Sequence, residues 1–410
     1  FKNMLIRLKE QSQLQIDFVN NASHELKTPI FVIKGYVDML NDWGKDDKEV
    51  LDEGLIVLKK EIQNMQELTE KLLFLAKSKN LVVEKNNIKV NENEKPLTAI
   101  LTGKNEKKGR ELVKNGKLGV VLLAGGQGSR LEHEGPKGTY FVEELKSSIF
   151  EIQCLKLEKS KIHLFIMCST ENVEQTENFF EKNDYFGMRG RIHFFIQNDF
   201  NLLDLDGTEM KVQGRSVPAS AGHGDVIRSL SKVMKLINDL EISHLLISNI
   251  DNINAKLVDY DFIGESCDTD LTLKVVEKVE PNEKVGVFCK DEAGRLAVLE
   301  YSEIPENLRN LRDNEGLYFR LANIMVQIIS VSMIKKLMKK DIPIHYAYKN
   351  KKIKGKKYEF LKKEIFLFDF FKYIEDYKIF MVDKDQNFAP IKDKASVVEA
   401  TKKYKKYNKV

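Results

Sequence analysis

The chain has 410 residues and a mass of 47.3 kDa, with 42% hydrophobic and 31% charged residues and only 8 Pro. That length predicts two or three domains, and the composition excludes a disordered, collagenous or fibrous chain. No apolar run approaches the roughly 20 residues of a membrane helix, so we expect a cytoplasmic chain without a membrane segment. The four cysteines lack metal-binding spacing and indicate reduced thiols. The opening FKNMLIRLKE has neither an initiator Met nor a signal region, so we interpret the chain as a fragment.

The net charge of +4 is unevenly distributed. Residues 1–90 are neutral overall, whereas residues 335–410 hold 22 Lys and 10 acidic residues. Only 11 of the 66 basic residues are Arg, and nucleic-acid surfaces usually combine Arg with aromatics, so we expect no nucleic-acid partner. The Lys-rich segment 349–357 predicts a solvated hairpin edge. The same positive field would favour a phosphate-rich small substrate.

The N-terminal region has a regular helical pattern. Apolar residues recur at alternating steps of three and four over 16–40 and again over 51–76, and NDWGKDDK between them supplies a Gly and capping Asp residues. This pattern predicts an antiparallel α-helical hairpin with coiled-coil seams. Because two helices alone bury little surface, we expect a homodimer through residues 1–90 that forms a four-helix bundle.

One histidine on this hairpin carries a further signal. The heptad places His24 on the exposed flank of the seam, followed by Glu25, Thr28 and the helix-breaking Pro29. An isolated histidine of this kind is ordinarily a surface residue, but the string FVNNASHELKTPI resembles the dimerisation and phosphoacceptor domain of sensor histidine kinases. The resemblance covers about residues 1–90. It implies that His24 is phosphorylated, that Glu25 assists as a carboxylate, and that Thr28 serves phosphatase chemistry.

The kinase pattern is incomplete. No Asn-rich box and no D-x-G-x-G loop follow, so the ATP-binding lobe of that family is missing from the sequence. The resemblance therefore implies phosphorylation in trans by a partner kinase and transfer to a response regulator, with no autophosphorylation by this chain alone. We place the hairpin domain at 1–90, a linker and lead-in at 91–117, and a catalytic domain at 118–410.

The longer region reads as an α/β domain. Short continuous apolar runs typical of buried strands occur at 118–124, 162–168, 192–196, 244–250 and 271–277, and helical stretches such as 149–160 and 171–182 separate several of them. This alternation predicts a mostly parallel sheet with ligands at the carboxyl ends of its strands. His163, His193 and His244 lie in these apolar runs and are interpreted as core or strand-edge residues.

A glycine-rich loop, GGQGSRLEHEGPKG at 125–138, follows the first strand directly. It is neither the dinucleotide motif GxGxxG nor the P-loop GxxxxGK[ST]. Its glycines let the backbone approach a ligand and offer N–H groups to an anion. Arg130 and Lys137, seven residues apart, can bracket a polyphosphate.

This loop, with its Pro-Lys-Gly ending, resembles that of the UDP-sugar pyrophosphorylase family, and the resemblance runs from about 95 to 400. It implies a Rossmann-like nucleotidyltransferase (GT-A-like) mixed sheet that makes UDP-sugar and pyrophosphate from UTP and a sugar 1-phosphate. One departure is Glu132, where the family usually has Gly. Further pieces follow in family order: Gln197, GHGD at 222–225, IDN at 250–252, VLEYSEI at 298–304, ANI at 322–324, KKEIFLFD at 362–369 and FAPIK at 388–392.

The resemblance also implies roles for the matched positions. Phosphate binding would fall to Arg130, Lys137 and Lys362, and Mg²⁺ to Asp251, with Asp369 as a weaker candidate. Lys362, Asp369 and Glu300 have structural alternatives as a surface lysine, a capping carboxylate and a strand end. The nucleotide would contact Gly125, Gly126, Gln197 and Gly222, and the sugar would contact His223, Asn252, Glu300 and Asn323.

Two questions stay open at this point. GHGD resembles the glucose branch of the family and GGQGSR the N-acetylhexosamine branch, and we favour glucose 1-phosphate over N-acetylglucosamine 1-phosphate. The chain is read first as a uridylyltransferase with an unrelated hairpin. The alternatives are a phosphorelay fragment whose His24 is phosphorylated in trans, and two halves joined without functional coupling, whether naturally, by engineering or in sequence assembly.

Overall fold

The computed structural model describes residues 26–27, 29–77, 97–101, 103–301, 303–304, 306–353 and 356–408. The chain divides into two compact units. The first comprises Phe1–Val82, Leu203–Met210 and Tyr348–Leu361, and the second comprises Val83–Leu202, Lys211–Ala347 and Lys362–Val410. No helix of the described residues is long and apolar enough to cross a membrane.

Helices and strands are numbered in chain order. The helices are α1 (29–42), α2 (Lys48–Lys77), α3 (Glu106–Lys114), α4 (Ile149–Leu155), α5 (Val173–Lys182), α6 (Val226–Ser229), α7 (Met234–Asp239), α8 (Tyr260–Glu265), α9 (Glu306–Arg309), α10 (Val331–Leu337), α11 (Lys384–Asn387) and α12 (Lys394–Asn408). The strands are β1 (Leu118–Leu123), β2 (Phe141–Val142), β3 (Ser147–Ser148), β4 (His163–Cys168), β5 (Ile192–Ile196), β6 (Asp199–Asn201), β7 (Lys211–Val212), β8 (Arg215–Ser216), β9 (Pro218–Ser220), β10 (His244–Asn249), β11 (Leu271–Glu277), β12 (Val287–Lys290), β13 (Leu296–Leu299), β14 (Arg312–Asp313), β15 (Gly316–Leu317), β16 (Leu321–Ser330), β17 (His345–Ile353), β18 (Lys356–Glu364) and β19 (Tyr377–Val382).

The first unit contains the predicted helical hairpin. A short 3₁₀ turn, Gly44–Asp46, joins α1 to α2, and the Asp47 carboxylate accepts hydrogen bonds from the first backbone N–H groups of α2. Leu40 of α1 packs against Gly54 of α2, where a Cβ would lie 3.0 Å from the leucine side chain. The described residues thus form two helices joined by a short turn, in contact at Leu40 and Gly54. The predicted homodimer and four-helix bundle stay predictions.

The second unit is built on a nine-stranded mixed sheet, which confirms the predicted mixed α/β fold. The expectation of a mostly parallel sheet is wrong, because four of the eight strand pairings described in it are antiparallel. Its main path runs β13-β12-β16-β10-β1-β4-β5, and β11 and β19 extend it beside β16. Strand β1 is parallel to β4 and β10, whereas β16 runs antiparallel to β10 and β11. The parallel strands therefore deliver their carboxyl ends to one edge of the sheet.

The core lies on both faces of this sheet. Side chains alternate along a strand, so Val120 and Leu122 of β1 join one apolar cluster while Val121 and Leu123 join the other. Every residue of β1 is buried, as its continuous apolar run predicted. The four cysteines are free, and burial raises the pKa of the Cys154, Cys168 and Cys289 thiols to about 12.

The two segments with local predictions are 149–160 and the Lys-rich segment 349–357. The helix predicted over 149–160 ends at Leu155, because the Arg191 guanidinium takes up the carbonyls of Leu157, Glu158 and Ser160 in the following turn. The described residues of the Lys-rich segment lie on β17 and β18, which pair as a two-stranded sheet. The predicted solvation of this edge stays a prediction.

Candidate functional site

The glycine-rich loop leaves β1 at the carboxyl edge of the sheet and folds back on itself. Gly128 N–H donates to the Gly135 carbonyl (2.9 Å), and Lys137 N–H donates to the Gly126 carbonyl (3.0 Å). Gly138 ends the loop against the Phe150 ring, where a Cβ would come within 2.3 Å. These contacts hold the loop in a compact conformation.

Gln197 lies over the start of this loop. A Cβ on Gly125 would lie 2.1 Å from the Gln197 side-chain nitrogen, so only glycine permits this approach. Gln197 follows β5 and is 5% exposed, and its side-chain amide has no hydrogen-bond partner among the described residues. The structure therefore brings Gly125 and Gln197 together, with an amide available to a ligand. Gly126 has open space on its Cβ side.

An ion pair ties the loop to the neighbouring strand. The Lys137 ammonium donates to the Asp251 carboxylate at 2.7 Å, and each side chain is 18% exposed. Asp251 lies two residues beyond β10, the strand that pairs with β1, so two adjacent parallel strands deliver the two groups. Sequence reasoning named both residues, and the structure places them in direct contact.

Arg130 lies in a short 3₁₀ turn, Ser129–Leu131, with its side chain on the exposed side of that turn. Leu131 is buried and anchors that turn, whereas Arg130 is exposed and forms no hydrogen bond or ion pair within the described part of the chain. Its guanidinium is thus free to bind an anion. Glu132, where the resemblance leads us to expect Gly, has a φ of 54°, the left-handed conformation that glycine adopts most easily.

Helix α4 holds the segment that carries Asp251. The Gln153 amide donates to the carbonyls of Ile250 (2.9 Å) and Asn252 (3.1 Å). The Lys156 ammonium donates to the carbonyls of Ile253 (2.6 Å) and Ala255 (3.0 Å), and burial lowers its pKa to about 7. Sequence reasoning missed this clamp, because both residues act on backbone about 100 positions away.

Asn252 is committed to the fold. Its side-chain nitrogen donates to the Asn387 carbonyl (2.9 Å), its side-chain oxygen accepts from Ala389 N–H (3.0 Å), and it is 1% exposed. The amide anchors the FAPIK segment to the end of β10. Both of its hydrogen-bonding groups are therefore used internally rather than turned to a sugar.

The GHGD segment packs against the backbone that follows β18. Gly224 N–H donates to the Ile365 carbonyl (2.9 Å), and a Cβ on Gly222 would lie 2.8 Å from that same oxygen. Gly222 has a φ of 92°. Asp225, which sequence reasoning left without a role, accepts from Asn198 N–H at 2.6 Å and so joins this segment to the residue after Gln197.

His223 is stacked on Phe366, with ring centroids 5.3 Å apart. Its Nδ1 accepts from Leu367 N–H at 3.2 Å, which places the proton of the neutral ring on Nε2. Burial lowers the pKa of His223 to about 4. At neutral pH this side chain is therefore an uncharged, oriented hydrogen-bond donor.

Lys362 lies beside the GHGD segment rather than beside Lys137. Its ammonium donates to Glu364 (2.8 Å) and lies 3.4 Å from the Ser220 hydroxyl. Within the described residues it forms no ion pair with Asp251, the carboxylate that Lys137 contacts. A single ligand would have to extend along the carboxyl edge of the sheet to contact both Lys137 and Lys362.

Glu300 and Asn323 meet at Gly286. A Cβ on Gly286 would lie 3.0 Å from the Glu300 carboxylate, and Asn323 N–H donates to the Gly286 carbonyl at 2.8 Å. Burial, followed by the nearby charge of Glu303, raises the pKa of Glu300, while Lys392 opposes that shift. Lys392 follows Ile391, whose N–H donates to the Asp251 carbonyl. This lysine is part of the FAPIK motif, and the sequence analysis gave it no role.

The two candidate metal ligands differ in their surroundings. In the parts of the chain that the structure describes, no three His, Cys, Asp or Glu side chains converge into a preformed metal cage. A single carboxylate such as Asp251 nevertheless fits Mg²⁺, which commonly binds through one or two carboxylates plus substrate phosphates. Asp369 instead accepts a 2.7 Å hydrogen bond from His345 Nε2 and is nearly buried, as expected of a structural carboxylate.

The remaining predicted residues are the histidines of the apolar runs and the phosphoacceptor residues. His163 and His193 lie in adjacent strands and share a 2.9 Å hydrogen bond, and His244 begins β10, so all three are strand residues as predicted. His24, Glu25 and Thr28 lie outside the described residues.

Comparison with known proteins identifies both halves of the sequence. Residues 62–408 match the family model of UTP–glucose-1-phosphate uridylyltransferase. Residues 14–81 match that of the His Kinase A (phospho-acceptor) domain. Both resemblances found in the sequence are thereby confirmed.

Individual relatives point to the same family. The chain is 34% identical over 304 residues to a probable UDP-N-acetylglucosamine pyrophosphorylase of Encephalitozoon cuniculi, covering 71% of this chain and 85% of the relative. It is 31% identical to UDP-N-acetylglucosamine pyrophosphorylase of Saccharomyces cerevisiae, where the match covers 70% of this chain and 66% of the relative.

A solved structure gives the same result for the fold. The crystal structure of a putative UDP-N-acetylglucosamine pyrophosphorylase from Entamoeba histolytica superposes with a TM-score of 0.68 at 28% identity, covering 73% of this chain and 83% of the other. One family model thus matches most of the chain, and the relatives described above are similar to the chain in sequence and in fold. The chain belongs to the UTP–glucose-1-phosphate uridylyltransferase family, whose members are UTP-dependent sugar-1-phosphate uridylyltransferases.

Proposed function

We propose that this chain transfers the uridylyl group of UTP to a sugar 1-phosphate, giving UDP-sugar and pyrophosphate. The observation that supports this most strongly is the 2.7 Å contact between Lys137 of the glycine-rich loop and Asp251 beyond β10. It joins an anion-binding loop to a carboxylate suited to Mg²⁺ at the carboxyl edge of the sheet. The names of the relatives describe the same reaction class.

The reaction needs alignment and charge neutralisation more than proton transfer. A phosphate oxygen of the sugar 1-phosphate attacks the α-phosphorus of UTP, and the bond from that phosphorus to the pyrophosphate oxygen breaks. Arg130 and Lys137 would neutralise the phosphates of UTP, and Lys362 would bind the phosphate at the GHGD side. Lys137 would leave Asp251 for a phosphate oxygen when the nucleotide enters.

Mg²⁺ is the metal that we propose for this site. When bound, it would neutralise charge on the phosphate oxygens. Asp251 would hold it, because its carboxylate lies at the loop and, among the described residues, accepts a side-chain hydrogen bond from the Lys137 ammonium alone. We assign Asp369 a structural role through its hydrogen bond with His345.

The other site residues follow from their positions. Gly125, Gly126 and Gln197 would contact the uracil and ribose, with Gly222 at the same nucleotide. Glu300 would accept hydrogen bonds from the sugar hydroxyls. Asn323 would donate to them from its amide nitrogen, whose partner in the structure is the weakly accepting Met325 sulfur, while its amide oxygen accepts from Met325 N–H at 2.9 Å. His223 Nε2–H adds a neutral donor. Asn252 would support these groups by holding the FAPIK segment.

For the sugar we propose N-acetylglucosamine 1-phosphate. The relatives at 34% and 31% identity are named for that sugar nucleotide, and the GGQGSR loop agrees. The preference for glucose 1-phosphate, based on GHGD, stays a prediction that the same assay tests.

The test is pyrophosphate release from UTP, Mg²⁺ and each of the two sugar phosphates by the full chain. We expect turnover with N-acetylglucosamine 1-phosphate and a loss of about 10²–10³-fold in Arg130→Ala. Arg189→Ala is the matched control, since Arg189 is exposed and paired with Asp184 away from the loop. No pyrophosphate with either sugar phosphate would reject the proposal.

A second function is favoured by the match of residues 14–81 to a phosphoacceptor domain. We propose that His24 takes a phosphoryl group from a partner kinase within a homodimeric four-helix bundle, with domain boundaries near 90 and 117. Large apolar side chains of the hairpin are exposed in the single chain, including Phe31 (76%) and Ile56 (68%), and a second copy would bury them.

This second function has its own test. Labelled ATP and a histidine kinase ATP-binding lobe should label the wild type and leave His24→Ala unlabelled. Native mass spectrometry should show a dimer that Phe31→Asp weakens. Label in His24→Ala, or monomer alone at all protein concentrations, would reject it without affecting the uridylyltransferase assay.

A further inference from the structure

A cavity of about 580 Å³ lies at the edge of the sheet opposite to the site described above. Among its lining residues, His163 begins β4, Arg191 directly precedes β5, and Gly116 precedes β1. The glycine-rich loop and Asp251 follow the other ends of these parallel strands. Strands of six residues span roughly 20 Å, so the cavity is separate from the candidate active site.

The cavity is lined by positive charge without negative partners. Lys114, Lys161 and Arg191 face it, and no Asp or Glu lines it. None of these three cations forms an ion pair in the portion of the chain described by the structure. Three cations gathered without counter-charges repel one another, and a bound anion would relieve that repulsion.

Arg191 is held rigidly in this wall. One guanidinium nitrogen donates to the Ser160 carbonyl at 2.6 Å and another to the Glu158 carbonyl at 2.8 Å. Carbonyl oxygens fix the group but leave its unit charge uncompensated. The pKa of His163 is lowered first by burial and then by the charge of Arg191, so that charge is felt inside the cavity.

We propose that this cavity is a second ligand site, which binds a small organic oxyanion carrying at least two negative charges. Its volume falls in the range of ordinary small-molecule pockets and exceeds what a simple ion fills. Lys and Arg are the side chains that recognise phosphate and carboxylate oxygens. Phosphate esters and polycarboxylates share this chemistry.

The test follows the histidine ring that lines the cavity. The imidazole NMR signal of His163 in the full chain is assigned by its loss in His163→Gln. It is then followed while inorganic phosphate or citrate is added at constant ionic strength. We expect saturable shifts, with the preferred probe distinguishing a phosphate ligand from a polycarboxylate. Binding at the candidate active site would leave this signal in place.

Matched variants separate a site from general charge attraction. The pair Lys114→Ser and Lys161→Ser should weaken binding by roughly tenfold or more. The control pair Lys182→Ser and Lys235→Ser, also exposed lysines of this unit, should leave it unchanged. No saturable shift of the His163 signal with either probe, or equal weakening in the control pair, would overturn the proposal. Because the readout does not use uridylyl transfer, its result is independent of the proposed function.

Discussion

The helical hairpin and the mixed sheet differ in how far one chain completes them. In the sheet, every residue of β1 is buried and alternate side chains enter two apolar clusters. In the hairpin, predicted seam residues such as Ile30, Val37, Leu55 and Ile62 are each about half exposed. The sheet therefore positions its candidate site residues within a single chain, whereas the hairpin retains apolar surface that the proposed second copy would bury.

The largest expected effect concerns the glycine-rich loop at the edge of the sheet. Replacing Lys137 by Met removes the cation that contacts Asp251 and, by our proposal, the phosphates of UTP. We expect pyrophosphate release to fall about 10²–10³-fold with the fold retained. Lys182→Met on the surface of α5 is the control and should keep wild-type activity. Activity of Lys137→Met within a few-fold of wild type would break the account of the loop.

The packing of GHGD against the sheet unit gives the next largest effect. A Cβ on Gly224 would lie 2.4 Å from the Phe366 backbone, which cannot move aside as a side chain can. We expect Gly224→Ala to lower the free energy of unfolding by about 3 kcal/mol, measured by urea denaturation. Gly126→Ala, with nothing within 4 Å of its Cβ, should change it little. Equal stability of the two variants would contradict the described packing.

A pH-dependent effect follows from His223. Burial lowers its pKa to about 4 from an ordinary 6.5, so the unfolded chain binds this proton more tightly. The contribution to stability is present above pH 6.5 and is lost as the pH falls toward 4. Its size is roughly 2–3 kcal/mol. Urea denaturation at pH 7 and pH 4.5 should show a smaller loss in His223→Gln than in wild type, and parallel losses would refute the prediction.

The smallest expected effect concerns the stability and packing of the two hairpin helices. Gly35 is exposed in α1 and has nothing within 4 Å of a built Cβ. Gly35→Ala should stabilise this helix by about 1 kcal/mol, seen as slower amide hydrogen exchange over residues 29–42. In Gly54→Ala the new Cβ would press on Leu40 at 3.0 Å, so a smaller gain is expected there. A larger gain in Gly54→Ala would show that the helices pack less closely than described.

Local sequence patterns were sufficient for the strands and the loop. The apolar run 118–124 contains β1, and the family resemblance named Lys137 and Asp251 separately, without predicting the contact between them. The end of α4 was not predictable, because it depends on Arg191, a residue more than 30 positions away. The seven-residue helix is therefore shorter than its periodicity indicated.

The supporting residues escaped sequence reasoning for the same reason. Gln153 and Lys156 act on backbone carbonyls of 250–255, and Asp225 acts on the backbone of Asn198. Asn252 carried a family motif, yet its amide is used by the backbone of 387–389. Side-chain contacts with distant backbone leave no periodic or spacing signal in a single sequence.

The most direct test of the central proposal is ³¹P NMR of the full chain with UTP, Mg²⁺ and N-acetylglucosamine 1-phosphate. We expect UTP and the sugar phosphate to disappear together, while UDP-N-acetylglucosamine, seen by its diphosphate signals, and pyrophosphate form in equal amounts. Unchanged UTP, or UTP cleaved without formation of a sugar nucleotide, would contradict it.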